Sequence, residues 1–324
     1  MQTLEQLEKK AISFIEEASF DRKPTALFEP VEYAMKQGGK RIRPLLVLIA
    51  ADMFSFDLDK AKYPALAVEL LHNFTLVHDD IMDASPLRRG KPTVYQKYGT
   101  NRAILSGDVI YAMAYEQLIN CDADKIPALT KTLTSVLINV CQGQAYDMAF
   151  ENTTEVSVRD YITMISLKTG ILLAGSLKLG AIVADASKEN MNVLSEIGLY
   201  LGIAFQLQDD LLDCWSDLES FGKVSGTDIA DNKKTILYLL TLENANEEDA
   251  KRLLTLYSGK PADVQQKIQE VKSLFEKYDA KQKTEDMVNE YMNKALKSVE
   301  SLDVEQERKS NIVAFIQKLL NRKK

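Results

Sequence analysis

The chain has 324 residues, 46% of them hydrophobic, which suffices for the core of one large helical domain or of two ordinary ones. Its 14 glycines, 8 prolines and 8% aromatic residues are few for a sheet-rich sandwich or barrel, which needs frequent turns. The formal net charge of −7 excludes a bulk electrostatic affinity for nucleic acid or for an anionic membrane, so any anion-binding site must be local.

The N-terminus and the cysteines predict a mature, cytoplasmic protein. The first residues carry several glutamates at helical spacing, unlike a secretory signal. Without a CxxC pair, the three cysteines predict neither a disulfide framework nor a thiolate zinc site; they are Cys121, Cys141 and Cys214. The longest stretch without a charged residue, Thr132–Tyr146, is shorter than the roughly 20 residues that cross a bilayer as a helix, so no transmembrane segment is expected.

Helical periodicity governs almost the whole chain. Apolar residues recur at i, i+3, i+4 and i+7, as in the run Leu66, Leu70, Leu71 and Phe74. No low-complexity linker divides the pattern, and glycine or proline interrupts it at Gly38–Gly39, Pro64, Ser85–Pro86, Gly90–Pro92, Gly99 and within Phe221–Asn232. The sequence therefore predicts an all-α fold of ten or more helices, a single domain over residues 1–324 with a more polar C-terminal quarter.

The first candidate site is the segment Gly38-Gly39-Lys40-Arg41-Ile42-Arg43-Pro44. It places three cations after a glycine pair and before a helix that Pro44 can start. Free amides and the helix dipole favour phosphate at such an N-terminus. Taken alone, the segment could also be an ordinary basic turn.

The next long helix is predicted to end in the first of two DDxxD clusters, Asp79–Asp83. Its first and last aspartates share one helix face, about 5.4 Å apart. Arg88-Arg89-Gly90 follows, and arginine suits bidentate contact with phosphate. His72 and His78 are six residues apart and so lie on different faces, which argues against a shared metal site. His72 could donate to a phosphate, whereas His78 is interpreted as structural.

The second cluster, Asp209–Asp213, repeats the first after another apolar run. Carboxylate pairs that face each other across a pocket suit Mg²⁺, which takes one or two carboxylates together with phosphate oxygens of the substrate. Further cations are Lys168, in Lys168-Thr169-Gly170 within a predicted apolar helix, and Lys223 and Lys233 near predicted loops. The alternative interpretation of a single DDxxD is a solvated acidic helix end.

Together these motifs carry a family resemblance over nearly the whole chain. They comprise GGKRIRP, LVHDDIMDASPLRRGKPT, SGD at Ser106–Asp108, GQAYD at Gly143–Asp147, KTG, FQLQDDLLD and GKVSGTDIADNKK. The chain resembles the trans-isoprenyl diphosphate synthases, or polyprenyl synthetases, which include farnesyl and geranylgeranyl diphosphate synthases. The resemblance implies an isoprenoid-synthase bundle around a central cavity. It also implies head-to-tail condensation of isopentenyl diphosphate with an allylic diphosphate by ionisation, condensation and elimination.

The resemblance implies a role for each matching residue. Three Mg²⁺ ions, for which Mn²⁺ can substitute, would be held by Asp79, Asp83 and Asp209, supported by Asp80, Asp210 and Asp213. The isopentenyl diphosphate pocket would comprise Lys40, Arg43, His72 and Arg89. Contacts to the allylic diphosphate would come from Arg88, Lys168, Lys223 and Lys233, with Thr169 and Gln206 near the nascent cation. The family also implies a homodimer.

Product length is predicted to depend on the helix that carries the first cluster. Thr75 and Leu71 lie one and two turns before Asp79, and Phe74 lies alongside. By resemblance, an aromatic residue five positions before the first motif implies short products of C15 to C20, and the uninterrupted DDIMD favours C20.

Departures and rival functions complete the prediction. The segment between Lys223 and Asp228 is one residue longer than in farnesyl synthases, and Leu237 stands where many bacterial members have proline.

A class I terpene cyclase usually has a single DDxxD, and a non-catalytic subunit would be expected to lose aspartates. A di-iron bundle needs two Glu-x-x-His motifs; only His72 has a glutamate, Glu69, three residues before it.

Overall fold

The structure is a computed structural model that describes residues 2–153, 155–215, 226–259 and 263–320. It is almost entirely helical, which confirms the predicted all-α fold and the prediction of ten or more helices. In the first half of the chain the helices are α1 Leu4–Glu16, α2 Thr25–Met35, α3 Ile42–Met53, α4 Lys62–Met82, α5 Val94–Tyr98, α6 Thr100–Leu118 and α7 Ile126–Asn152.

In the second half the helices are α8 Val158–Ile165, α9 Ile171–Val183, α10 Lys188–Trp215, α11 Thr227–Ala230, α12 Ile236–Asn244, α13 Glu247–Leu256, α14 Val264–Lys277, α15 Ala280–Glu300 and α16 Ser310–Leu320. A π-helical segment, Ser166–Gly170, joins α8 to α9, and a 3₁₀ turn, Gln306–Lys309, precedes α16. Lys168-Thr169-Gly170 was predicted to lie in an ordinary apolar helix; the structure corrects this to π-helix.

The chain forms two compact units, each assembled from three stretches of sequence. The first unit comprises Met1–Ile138, Leu172–Gly198 and Ser298–Phe315. The second comprises Asn139–Ile171, Leu199–Lys297 and Ile316–Lys324. Three long helices, α7, α10 and α15, contribute residues to both. The prediction of a single domain stays a prediction.

The core of the first unit is built around α3 and α4. In α3 every residue from Pro44 to Met53 is buried, as is typical of a helix that is apolar on all sides. A Cβ on Gly180 of α9 would collide with the carbonyl of Val47, so glycine allows the backbones of α9 and α3 to approach closely. Pro64, predicted as a break, lies in the first turn of α4, where a missing amide hydrogen is tolerated.

A short antiparallel hairpin follows α4. Its two strands are the only strands in the described part of the chain. Strand β1, Leu87–Arg88, pairs with strand β2, Lys91–Pro92, in the register Leu87 to Pro92 and Arg88 to Lys91. The two turn residues, Arg89 and Gly90, both have positive φ, of 53° and 74°, as two-residue hairpins require. The hairpin therefore fixes where the two consecutive arginines stand.

One continuous helical stretch, Val158–Val183, is long and apolar enough to cross a membrane by length and composition. Its most apolar window has a mean hydropathy of 1.4, and 67% of that window is buried within the protein. A core helix has the same composition and the same burial, so this stretch is weak support for a membrane span. No disulfide joins cysteines in the described residues.

Candidate active site

The first acidic cluster lies in the last turn of α4. Asp80 is buried, Asp79 is half-buried, and Asp83 is the exposed C-terminal cap of the helix. The negative end of the helix dipole disfavours carboxylates at this position. The cluster therefore favours a nearby cation, from the protein or from solution.

Arg88 supplies one such cation to Asp80. Its Nε donates to both carboxylate oxygens of Asp80, at 2.9 and 3.0 Å, and its Nη2 lies 2.7 Å from Oδ1. Charge-assisted contacts of this kind satisfy a buried carboxylate. The hairpin thus places Arg88 beside Asp80, and Arg88 has a partner within the protein.

The predicted basic loop and Arg89 meet in the same unit. Gly38 and Gly39 have positive φ, of 85° and 120°, and Arg89 Nη1 donates to the carbonyl of Gly38. The φ of Gly39 favours glycine there, and a Cβ would also stand 2.7 Å from the guanidinium of Arg89, which would have to shift. Although Arg89 is exposed as a residue, burial of its guanidinium lowers its pKa, and the charge of Arg41 adds to this.

His72 is buried on α4 amid four arginines. Burial lowers the pKa of His72 well below its ordinary value of 6.5, and the positive charges of Arg43, Arg89, Arg88 and Arg41 lower it further. Its imidazole is therefore neutral near pH 7. A neutral imidazole still has one N–H with which to donate to an anion.

The second acidic cluster lies near the described end of α10, in the second unit. Asp210 is buried and accepts hydrogen bonds from the Tyr161 hydroxyl at 2.5 Å and from Gln206 Nε2 at 3.2 Å. Burial raises the pKa of Asp210 well above 3.8, and the charge of Asp228 raises it further. Gln206 also accepts from Thr169 Oγ1 at 3.1 Å, so these residues form one network.

Asp213 and Lys233 meet around the short helix α11. Asp213 accepts from the Thr227 hydroxyl and, at 3.0 Å, from the backbone N–H of Asp228. Lys233 Nζ lies 4.0 Å from Asp228 Oδ1. These bonds bring Lys233 and the second cluster into one neighbourhood. The predicted residue Lys223 lies outside the described residues.

Lys168 lies in the π-helical segment and forms an ion pair with Asp147 of α7, with Nζ 2.6 Å from Oδ2. Two glycines allow this segment to pack closely. A Cβ on Gly143 of α7 would collide with the backbone of Lys168, and a Cβ on Gly202 of α10 would collide with Gly170. A π-helical insertion often marks a functional site, because it changes the direction of the side chains it carries.

The predicted chain-length residues line one side of α4. Leu71 is buried, whereas Phe74 and Thr75 are half-buried. The ring of Phe74 packs 4.7 Å from His78 and 5.7 Å from Tyr111 of α6, measured between centroids. His78 Nε2 lies 3.1 Å from the carbonyl of Ile104, and its ring fills the space over Gly107. His78 therefore has the structural role that was predicted.

Several residues of the site were missed by sequence reasoning. Asp147 and Tyr161 hold Lys168 and Asp210, and Glu69 forms a buried ion pair with Arg41. Glu69 belongs to the one formal Glu-x-x-His match for a di-iron site. Because its side chain pairs with Arg41, this match is not supported as a metal site. Asp147 ends the quoted GQAYD motif, which was a usable signal, whereas Tyr161 and Glu69 stand in ordinary helical patterns.

The donor chemistry of the site suits Mg²⁺. Carboxylate oxygens are the ligands that this ion prefers, and it normally completes its coordination with water and substrate phosphate. In the described residues no three His, Cys, Asp or Glu side chains converge into a preformed metal site. A Mg²⁺ ion that binds together with a diphosphate does not require a preformed protein site.

An all-α fold with two DDxxD clusters on long helices, each beside a paired cation, defines a helical enzyme class that acts on diphosphates. A sequence model of the family described as polyprenyl synthetase matches residues 24–276. The chain belongs to the polyprenyl synthetase family. It is a prenyltransferase, which confirms the predicted enzyme class and short-chain trans-prenyl diphosphate synthesis.

The chain is similar to several characterised relatives. It is 35% identical to a short chain isoprenyl diphosphate synthase of Methanothermobacter thermautotrophicus over 304 residues, covering 94% of this chain and 93% of the relative. It is 40% identical to a geranylgeranyl diphosphate synthase of Sulfolobus acidocaldarius, covering 73% of each chain. A crystal structure of a geranylgeranyl pyrophosphate synthase matches with a TM-score of 0.95, 40% identity and 100% of both chains.

Proposed function

We propose that this prenyltransferase condenses isopentenyl diphosphate with allylic diphosphates and releases mainly the C20 product, geranylgeranyl diphosphate. The observation that carries the proposal is the aromatic side chain of Phe74 beside α6, in a chain with two complete DDxxD clusters. Relatives that make geranylgeranyl diphosphate support C20 over C15.

We propose that Asp79, Asp83 and Asp209 bind the metal, with three Mg²⁺ ions in the substrate complex and Mn²⁺ as a substitute. When bound, the ions neutralise the charge that develops on the departing diphosphate. Asp80 and Asp210 support the binding aspartates from buried positions, held by Arg88 and Tyr161 respectively.

Diphosphate departure also needs cations of the chain itself. Arg88 and Lys168 supply them in our proposal, together with Lys233 and the Lys223 of the undescribed segment. Both described pairs, Arg88 with Asp80 and Lys168 with Asp147, leave guanidinium or ammonium hydrogens available for a second acceptor. Thr169 and Gln206, bonded to one another at 3.1 Å, stand near the nascent allylic cation.

Isopentenyl diphosphate is positioned by a separate basic set. Lys40, Arg43, His72 and Arg89 belong to one unit, and burial together with the charges of nearby arginines, among them Arg43 and Arg89, lowers the pKa of His72. Holding the alkene within reach of the allylic carbon replaces a bimolecular encounter by a step within one complex. The proton lost afterwards passes to the released diphosphate in our proposal, because no other base is assigned.

We propose that two copies form a homodimer through the exposed face of α6 and the adjoining part of α7 in the first unit. Ile104 and Leu105 of α6 and Ile138 of α7 are large apolar side chains that are more than 40% exposed. Apolar side chains grouped in this way are typical of protein interfaces. Leu105→Asp should shift the protein to monomer in light scattering, whereas Lys188→Asp at an exposed charged position of α10 should not.

A cytoplasmic location completes the proposal, supported by membership of the polyprenyl synthetase family and by the 67% burial of the most apolar helical window. The function is tested by incubating purified protein with isopentenyl diphosphate, Mg²⁺ and each of the C5, C10 and C15 allylic diphosphates. Linear C20 diphosphate is expected. Cyclic hydrocarbons alone would indicate a terpene cyclase, and absence of turnover would indicate a non-catalytic subunit.

A further inference from the structure

Arg41 differs from the other cations of the basic loop. Lys40 is exposed and Arg43 is half-buried, but the Arg41 side chain is only 8% exposed. Its backbone has left-handed dihedrals, φ 48° and ψ 39°, which are uncommon for a residue other than glycine. A residue held in this conformation needs contacts that compensate for the strain.

Those contacts join three elements. The guanidinium of Arg41 forms an ion pair with Glu69 of α4, whose side chain is 2% exposed. Its Nη2 donates at 2.5 Å to the carbonyl of Met35, the last residue of α2, where a cation also suits the helix dipole. One side chain therefore ties the end of α2 and the middle of α4 to the loop between α2 and α3.

A hydrogen bond from α4 itself holds the Glu69 side chain in place for its ion pair with Arg41. Asn73 Nδ2, one turn further along α4, donates to the Glu69 carbonyl at 2.8 Å and to its Oε1 at 3.3 Å. The second oxygen, Oε2, is buried and has no hydrogen-bond partner among the described residues. A carboxylate buried in this way depends on Arg41 for its charge compensation.

We propose that Arg41 is a positioning residue for isopentenyl diphosphate: its ion pair with Glu69 holds the left-handed turn that sets where Lys40 and Arg43 stand. The inference rests on the proposed role of Lys40 and Arg43 as ligands of that substrate. Arg41 itself faces the protein interior and does not contact substrate. Arg88 of the allylic set is held by its own ion pair with Asp80, so we expect the pair of Arg41 with Glu69 to matter little for it.

Steady-state kinetics of Arg41→Gln test the proposal. We expect KM for isopentenyl diphosphate to rise at least about tenfold, while KM for the allylic substrate and kcat stay within about twofold. Arg41→Lys, which keeps the charge but loses the second contact, should give an intermediate rise. The matched control is Arg22→Gln, which removes an exposed ion pair with Glu116 in the same unit and should change neither constant.

A binding measurement gives a second readout. The proposed pocket consists of three cations and the neutral His72, with no carboxylate assigned as a metal ligand, so titration calorimetry of isopentenyl diphosphate without divalent ions should show binding to the wild type and a loss in Arg41→Gln. If Arg41→Gln does not fold by circular dichroism, Arg41→Met/Glu69→Met removes both charges together and should show the same selective rise in KM. Equal changes in both KM values, or none, would overturn the proposal.

Lys40→Ala separates this inference from the proposed function. If Lys40→Ala raises KM for isopentenyl diphosphate and Arg41→Gln does not, Arg41 has no positioning role and the pocket assignment stands. If Lys40→Ala changes nothing, the pocket assignment itself is wrong.

Discussion

Phe74 is the residue whose replacement we expect to change the product most directly. Phe74→Ala removes the ring that packs against His78 and Tyr111, and the space it leaves can admit further isoprene units. The variant should make products longer than C20, measured by sizing the dephosphorylated alcohols. Phe28→Ala, at a half-buried phenylalanine of α2, should leave product length unchanged. An unchanged product from Phe74→Ala would exclude its role in chain length.

His72 makes stability depend on pH. Because burial and four arginines depress the pKa of His72 in the folded protein, the unfolded chain takes up a proton below pH 6.5 that the folded protein resists. Stability should therefore fall as pH drops below 6.5. Replacing His72 by Gln should reduce the loss between pH 7 and pH 5 by up to about 2 kcal/mol, measured by urea unfolding. Identical pH profiles for the variant and the wild type would contradict this.

At the scale of elements, the π-helical segment depends on close packing by Gly143. In Gly143→Ala the new Cβ meets the backbone of Lys168, so the segment must shift. We expect the free energy of unfolding to fall by about 1–3 kcal/mol. We also expect kcat to fall by more than this loss of stability explains, because Lys168 and Thr169 move with the segment. Gly259→Ala adds a methyl group where no atom lies within 4 Å and should have little effect. Wild-type activity of Gly143→Ala would show that the segment tolerates the shift.

Lys234 stabilises the C-terminal end of α7. Its Nζ donates to the carbonyls of Phe150, Glu151 and Thr153, at 2.8, 3.2 and 2.5 Å, where the helix dipole favours a positive charge. Lys234→Met should lower the free energy of unfolding by about 1–2 kcal/mol. Lys131→Met, an exposed position on the same helix, is the control and should lie within about 0.5 kcal/mol of the wild type. If both variants changed the free energy of unfolding equally, Lys234 would have no capping role.

Local sequence patterns predict the helices, but they do not predict which side chains pair between helices. The first aspartate cluster lies at a helix end as predicted, and both clusters follow apolar helical runs, because apolar periodicity is set by neighbouring residues. Arg41 pairs with a residue 28 positions away, and Tyr161 with one 49 positions away, so only the tertiary fold reveals them. The π-helical segment was missed for a similar reason, since it depends on glycines of α7 and α10 that lie far away in sequence.

For the whole molecule, we predict one cooperative unfolding transition. Because α7, α10 and α15 contribute residues to both compact units, neither unit can unfold without breaking helices that the other uses. The one tryptophan, Trp215, lies in α10 and belongs to the second unit. Its fluorescence and far-ultraviolet circular dichroism should report the same thermal midpoint. Two separated midpoints would show that the units are independent domains.

The pairing of Arg88 with Asp80 and of Lys168 with Asp147 gives each cation a partner before any anion arrives. Capture of a diphosphate by these groups is therefore an exchange of partners and not the filling of a bare positive pocket. Because the protein balances these charges itself, long-range attraction contributes little, and the association rate should vary only weakly with ionic strength. Discrimination among the many phosphate compounds of a cell then rests on short-range fit.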